Sequence, residues 1–209
     1  MFPTDILAAY VLAAFVVALA PGPDNILAIG RGLSQGPLAA ALSATGAGLG
    51  IMVHTVAATL GLSLVLQTSP TLFLAVKVVG AAYLLWLGYK ALRTRDLIAF
   101  TPTAHQPLRQ VFATGLLSNV LNPKPGLFVV AFVPQFVAAE RGSVAVQMLV
   151  YGATFALLTA VLFTVLGCCA SRLSAWMARR PRVVAAANIG AGLTFVAAGL
   201  SILALDRRR

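Results

Sequence analysis

The sequence predicts an all-α polytopic membrane protein with six transmembrane helices, arranged as two inverted three-helix repeats. Three observations predict this class. The 209 residues are 60% hydrophobic and only 10% charged, whereas a soluble domain carries roughly a quarter charged residues. Six apolar segments are long enough to span a bilayer, which takes about 20 helical residues. The first and the fourth of these segments are each broken by a Pro-X-Pro step.

The six predicted spans are apolar runs separated by polar or Gly/Pro-rich turns. They cover residues 6–29, 38–66, 71–91, 111–138, 143–170 and 183–205. In the second span, the Gly46-X-X-X-Gly50 motif offers a face for close helix packing, within one chain or between two copies in a homodimer. In the third, Lys77 lies near the start, where snorkelling to the headgroups is the simpler interpretation.

The order of spans indicates an internal repeat. We expect one transmembrane domain over residues 1–209, with repeat one at about 1–92, a polar loop at 93–110 and repeat two at about 111–209. An odd number of spans per repeat inverts the second copy, so the two broken helices should meet near one plane.

The breaks are the stretch Ala20-Pro21-Gly22-Pro23-Asp24-Asn25 and the stretch Asn122-Pro123-Lys124-Pro125. Proline removes a backbone donor and clashes with the preceding turn, so each helix should kink or unwind there. Aligning the two Pro-X-Pro steps pairs Pro21 with Pro123. Unwound backbone at membrane depth survives only inside protein or beside a wet cavity, and paired breaks indicate the midplane site of a transporter.

Each break leaves a charge where hydrocarbon is expected, Asp24 in one and Lys124 in the other. Insertion of such a residue costs about 2.5–3.5 kcal/mol, and it usually faces the bundle interior. A zwitterionic amino acid needs a cation or helix N-terminus for its carboxylate, and a carboxylate or carbonyl groups for its ammonium. The candidate substrate-binding residues are therefore Pro21, Gly22, Pro23, Asp24, Asn25, Asn119, Asn122, Pro123, Lys124 and Gln135. The alternative that Asp24 and Lys124 only pair with each other stays open.

Two residues are candidates for proton coupling. Asp24 is the first, because burial favours the neutral form of a carboxylate, although a nearby ammonium opposes this effect. His54 is the second, because histidine ordinarily titrates near neutral pH. A helix-packing histidine bonded to a carbonyl is the simpler interpretation of His54.

The sequence contains no His-Glu-X-X-His, no Gly-X-Ser-X-Gly and no phosphate-binding Gly-rich loop. We therefore expect neither an enzyme nor an ATP-driven pump, and we expect no cofactor and no bound metal. The net charge of +10 lies in short clusters between apolar runs, which favours anionic lipid headgroups over nucleic acid as a partner.

The basic residues also predict the orientation. The loops after spans one, three and five hold nine lysines and arginines, against four on the opposite side. Loop 93–110 and the basic stretch 172–182 are therefore expected in the cytoplasm, with both termini outside. The arginines at 207–209 argue the other way.

Several further motifs occur in order along the chain, in addition to the two breaks. They are Ser69-Pro70-X-X-Phe73, Gly80-Ala81-Ala82-Tyr83-Leu84, Gly88, Asn119-X-X-Asn122-Pro123-Lys124 and Phe132-X-Pro134-Gln135-Phe136. With these motifs the chain resembles, over essentially its whole length, the LysE/RhtB family of bacterial amino-acid exporters. The resemblance implies a secondary transporter in the cytoplasmic (inner) membrane, exporting an amino acid or close derivative and driven by the proton motive force. One departure from the family pattern is Pro125, which is expected to sharpen the second break.

Two alternative functions remain at this stage. An inorganic cation exporter on the same architecture would need several carboxylate, imidazole or thiolate ligands converging inside. Asp24 is the clearest carboxylate within a span, whereas a cation site needs several ligands, and the Lys124 ammonium repels cations. This alternative is therefore disfavoured. A membrane protein that transports nothing would use the breaks for packing only.

Overall fold

The computed structural model describes residues 2–68, 70–93, 102–170, 172, 176 and 180–204. Regular structure in these ranges is helical throughout. The helices are α1 (Thr4–Leu19), α2 (Pro23–Gln35), α3 (Pro37–Thr68), α4 (Pro70–Arg93), α5 (Leu108–Val120), α6 (Pro123–Leu127), α7 (Val144–Cys168) and α8 (Pro181–Ala204). Between α6 and α7 lie a π-helix at Phe128–Phe132 and 3-10 turns at Val133–Phe136 and Ala139–Arg141.

The described part of the chain contains up to four membrane spans. Pro37–Gly61 of α3 and Val144–Cys168 are each long and apolar enough to cross a membrane alone. The pair α1–α2, bent by 62°, and the pair α5 with Pro123–Phe136, bent by 50°, qualify as broken spans. The protein is thus an all-helical, multi-pass membrane protein. Helices α4 and α8 match the third and sixth predicted spans in position, while six spans in two inverted repeats stay a prediction.

Three sequence predictions fall partly or wholly outside the described residues. They concern the side chain of Lys77, residues 94–101 of the loop at 93–110, and most of the basic stretch 172–182. The orientation derived from these loops therefore stays a prediction.

Both predicted breaks are confirmed, but the prolines that correspond between them differ from those paired by aligning the two Pro-X-Pro steps. Helix α2 begins at Pro23 and α6 begins at Pro123, so these two prolines are equivalent, and the pairing of Pro21 with Pro123 is wrong. Proline suits the first helical position, where the missing amide would have no partner. Pro125 lies in the same first turn and removes no helical hydrogen bond. The chain bends by 62° at the first break and by 50° at the second, and the expected sharpening by Pro125 relative to the family stays a prediction.

Helix α2 is longer than the apolar run predicts. The first predicted span ends at residue 29, yet α2 continues to Gln35, and Arg31 is only 3% exposed. The Arg31 guanidinium donates to the side chain of Gln35, to the carbonyl of Ala104 at 2.6 Å and to the side chain of Gln106. Neutral oxygens thus bind this buried charge and tie the end of α2 to the segment preceding α5.

The two broken helices run antiparallel. At one end, the contact between Arg31 and Ala104 joins the end of α2 to the segment before α5. At the other end, the Tyr10 ring in α1 packs on the Phe136 ring with centroids 5.2 Å apart, near the end of the second broken helix. The two breaks consequently meet between these ends, as the repeat argument predicts.

Glycines allow α3 to approach α5 closely. A Cβ atom at Gly46 would lie 2.4 Å from the carbonyl oxygen of Phe112, and one at Gly50 would lie 2.6 Å from Oδ1 of Asn119. The packing face predicted from Gly46-X-X-X-Gly50 is therefore confirmed, with α5 of the same chain as its partner. This face is not free to bind a second copy.

Replacing Gly46 with alanine is expected to destabilise the protein, because the methyl group is accommodated only if backbone moves. Such overpacking costs about 1–3 kcal/mol. Gly61→Ala on the same helix is the matched control, since a Cβ there has no atom within 4 Å. Alanine's higher helix propensity should leave that variant as stable as the parent, or more stable by up to about 1 kcal/mol. Thermal unfolding in detergent compares the two, and equal melting temperatures would contradict the packing argument.

Candidate functional site

The Asp24 carboxylate is bound by three side chains of the other broken helix. Asp24 is 5% exposed. Its Oδ1 accepts the Ser118 hydroxyl at 2.7 Å, and its Oδ2 accepts the side-chain amides of Asn119 at 2.7 Å and Asn122 at 2.9 Å. Three such bonds satisfy a buried charge. Asp24 is also the second residue of α2, at the positive end of the helix dipole, which further stabilises the carboxylate.

The Lys124 ammonium reaches the first break. Its Nζ donates to the carbonyl of Ala20 at 2.8 Å, and Ala20 directly follows the last residue of α1, where the helix dipole is negative. Gly22 leaves the space for this contact, because a Cβ there would lie 2.9 Å from Nζ. Asp24 and Lys124 therefore belong to one cluster but have separate hydrogen-bond partners, which does not support a simple hydrogen-bonded pair.

Two asparagines satisfy backbone amides at the breaks. The Asn122 Oδ1 accepts the Lys124 backbone N–H at 3.0 Å and caps α6. In the first break, Asn25 Oδ1 accepts the Gly22 N–H at 2.9 Å, and its Nδ2 donates to the Ala20 carbonyl at 3.0 Å. The chain's own side chains thus occupy one backbone amide at each break.

His54 lies where α5 ends. Its Nε2 is 3.1 Å from the carbonyl oxygen of Asn119 in the last turn of α5, and this oxygen also accepts the Asn122 backbone N–H at 3.0 Å. The ring also packs on α6, since a Cβ at Gly126 would lie 3.0 Å from the His54 Cε1. The interpretation of His54 as a helix-packing histidine bonded to a carbonyl is confirmed. Its role in proton coupling stays a prediction.

Most of the predicted site residues lie at the two joined breaks. These are Pro21, Gly22, Pro23, Asp24, Asn25, Asn119, Asn122, Pro123 and Lys124. Gln135 is not with them, because it lies eleven residues beyond Lys124, roughly 16 Å along a helix axis. Its Nε2 donates to the Ala131 carbonyl at 3.0 Å, so it supports its own turn.

Ser118 also belongs to this cluster, although it is not among the candidate residues predicted from the sequence. Helical spacing in the sequence indicates it, because Ser118 and Asn119 precede Asn122 by four and three positions in an apolar span. Polar residues at these spacings lie on the same side of a helix. The Ala20 carbonyl, as a backbone group, has no such signal.

Comparisons with known proteins agree with the motif analysis. Residues 15–205 match the family model described as LysE type translocator. A leucine efflux protein of Enterobacter sp. (strain 638) is 30% identical over 191 residues, which are 90% of each chain. A homoserine/homoserine lactone efflux protein of Salmonella typhi is 30% identical over 192 residues, 91% of this chain and 92% of the relative. An uncharacterised membrane protein of Pseudomonas aeruginosa is 33% identical over 199 residues, 92% of each chain. No solved structure matches the chain.

Proposed function

The chain belongs to the LysE type translocator family, and we propose that it is a secondary transporter that exports a neutral amino acid or close derivative from the bacterial cytoplasm in exchange for protons. The observation that carries the proposal is the cluster of Asp24 and Lys124 at the meeting point of two broken helices. The relatives named as leucine and homoserine efflux proteins support the substrate class.

The cluster offers complementary groups for a zwitterion. Lys124 leaves the Ala20 carbonyl and binds the substrate carboxylate, since an ammonium is the strongest anion partner there. The released carbonyl, at the negative end of α1, and the Asp24 carboxylate then accept the substrate ammonium. Buried polar groups that exchange partners in this way keep each charge satisfied throughout transport.

Asp24 is the proposed proton carrier, and Oδ1 is the atom that holds the proton. Its partner there is the Ser118 hydroxyl, which can rotate from donor to acceptor. At Oδ2 the partners are the amide groups of Asn119 and Asn122, which can only donate. Protonation at Oδ1 therefore preserves both amide bonds and reverses only the Ser118 bond.

The inorganic cation alternative has less support. Among the described residues, no group of three or more His, Cys, Asp and Glu side chains could hold a metal ion. The Lys124 ammonium also adds positive charge to the cluster that holds the buried Asp24 carboxylate.

Efflux from dipeptide-loaded cells tests the proposal. Cells lacking their own exporters are fed a panel of dipeptides, with and without this protein, and external amino acids are followed over minutes. We expect one or two neutral amino acids to leave several-fold faster when the protein is present. Asp5→Asn, which changes an exposed carboxylate in the first turn of α1, serves as the matched control and should export normally. If the protein reaches the membrane and no amino acid leaves faster, the proposal is wrong.

A further inference from the structure

A second polar cluster lies far from the breaks, where α7 begins. Tyr151 of α7 is 0% exposed, yet its hydroxyl has no hydrogen-bond partner. Its ring is enclosed by three others, with centroid distances of 4.6 Å to Tyr10, 5.5 Å to Phe2 and 6.0 Å to Phe136. A buried hydroxyl without a partner costs about 1–3 kcal/mol, so its presence in an aromatic enclosure needs an explanation.

Arg141 brings a second unsatisfied donor to the same place. Its Nη2 donates to the carbonyl of Phe136 at 2.7 Å, whereas its Nη1 is buried without a partner. Tyr151 contacts the same residue, since its ring packs on the Phe136 ring with centroids 6.0 Å apart. Gln147 holds this turn in place, because its side chain binds the backbone on both sides, at residues 138 and 142. Two buried donors without hydrogen-bond partners thus belong to residues that both contact Phe136.

We propose that Arg141 and Tyr151 form a second binding site, for the carboxylate of an amino acid. A guanidinium N–H and a phenol O–H both donate, and a carboxylate can accept from both at once. The partly buried ring of Phe136 supplies apolar surface for an aliphatic side chain. The substrate class rests on the proposed function, but the need for an anionic acceptor does not.

The position of the cluster places this second site at one mouth of the transport path. Tyr10, whose hydroxyl donates to the Tyr151 carbonyl at 2.7 Å, precedes Asp24 by fourteen residues. Tyr10 lies nine residues before the end of α1, about 14 Å along the helix axis from the first break, and half of a hydrocarbon thickness of about 30 Å is about 15 Å. In the expected orientation the mouth is the external one, so the site would receive the substrate after it leaves the central cluster.

Two tyrosine variants test the site with one atom removed in each. Tyr151→Phe removes a hydroxyl that makes no hydrogen bond, and Tyr10→Phe removes one that does. The probes are 13C-acetate, which is only a carboxylate, and 13C-carboxyl leucine, each followed by NMR line broadening with the purified full chain. We expect Tyr151→Phe and Arg141→Gln to weaken acetate binding at least fivefold, and Tyr10→Phe to leave it within twofold.

The outcomes separate this inference from the proposed function. If acetate does not bind, or binds Tyr151→Phe as it binds the parent, the second site does not exist and a bridging water explains the two donors. If acetate binding depends on Tyr151 but the cells export no amino acid, the site stands and the proposed function fails. If Arg141→Gln does not fold, Tyr151→Phe decides alone, since it removes no hydrogen bond.

Discussion

Replacing Asp24 with asparagine is expected to reduce export at least tenfold and to remove its pH dependence. The carboxylate accepts three hydrogen bonds, and an asparagine keeps them only as neutral bonds, with its oxygen accepting from Asn119 and Asn122 and its Nδ2 donating to the Ser118 hydroxyl, so the charge assistance is lost. Loss of a buried, charge-assisted bond of this kind costs on the order of 2–3 kcal/mol, so the melting temperature should fall as well. Without the carboxylate, the proton proposed to bind at Oδ1 of Asp24 has no site.

The measurement is efflux from dipeptide-loaded cells between pH 5.5 and pH 8, beside thermal unfolding of the purified variant. Asp5→Asn controls for the loss of one acidic side chain, because Asp5 is exposed on α1. The decisive readout is the pH profile, which a purely structural defect would scale down without changing its shape. Residual export that keeps the parent's full pH dependence would remove Asp24 as the proton carrier and leave His54 as the next candidate.

The central cluster was largely predictable, because its signals are local and chemical. A proline within a membrane span predicts a helix break whatever the tertiary fold, and Asp24 and Lys124 lie beside the two breaks. The register was less predictable, since each break holds two prolines and only the helix start distinguishes Pro23 from Pro21. Ser118 was readable from helical spacing.

Other features depend on tertiary contacts that no local pattern encodes. The sequence predicts Arg31 to be a loop residue because it follows an apolar run. Its burial depends on oxygen acceptors from Gln35 and from the distant segment at 103–106. The unpaired donors of Arg141 and Tyr151 are likewise apparent only once the turn before α7 is folded. Gln135 lies away from the central cluster and bonds to its own turn, so its part in substrate binding stays a prediction.

The position of the Lys124 ammonium at the first break predicts a large effect of its replacement. Lys124→Ala is expected to abolish selective export, because it removes the cation available to the substrate carboxylate. Lys124→Arg should retain part of the activity, since the charge remains while the bulkier group meets the narrow space beside Gly22. Lys90→Ala, at an exposed lysine near the end of α4 stacked over Trp86, should export normally as the control.

The charge-swapped double variant, Asp24→Lys with Lys124→Asp, is expected to remain inactive and less stable than the parent. The swap places an ammonium against the hydroxyl and amide donors that now bind Asp24, and a carboxylate against the Ala20 carbonyl that now binds Lys124. Each charge would then face groups of its own polarity, a buried mismatch that typically costs several kcal/mol. Efflux and thermal unfolding measure both effects. Recovery of more than half of the parent's export would show that the two residues act as an interchangeable ion pair, because only mutual attraction survives the exchange.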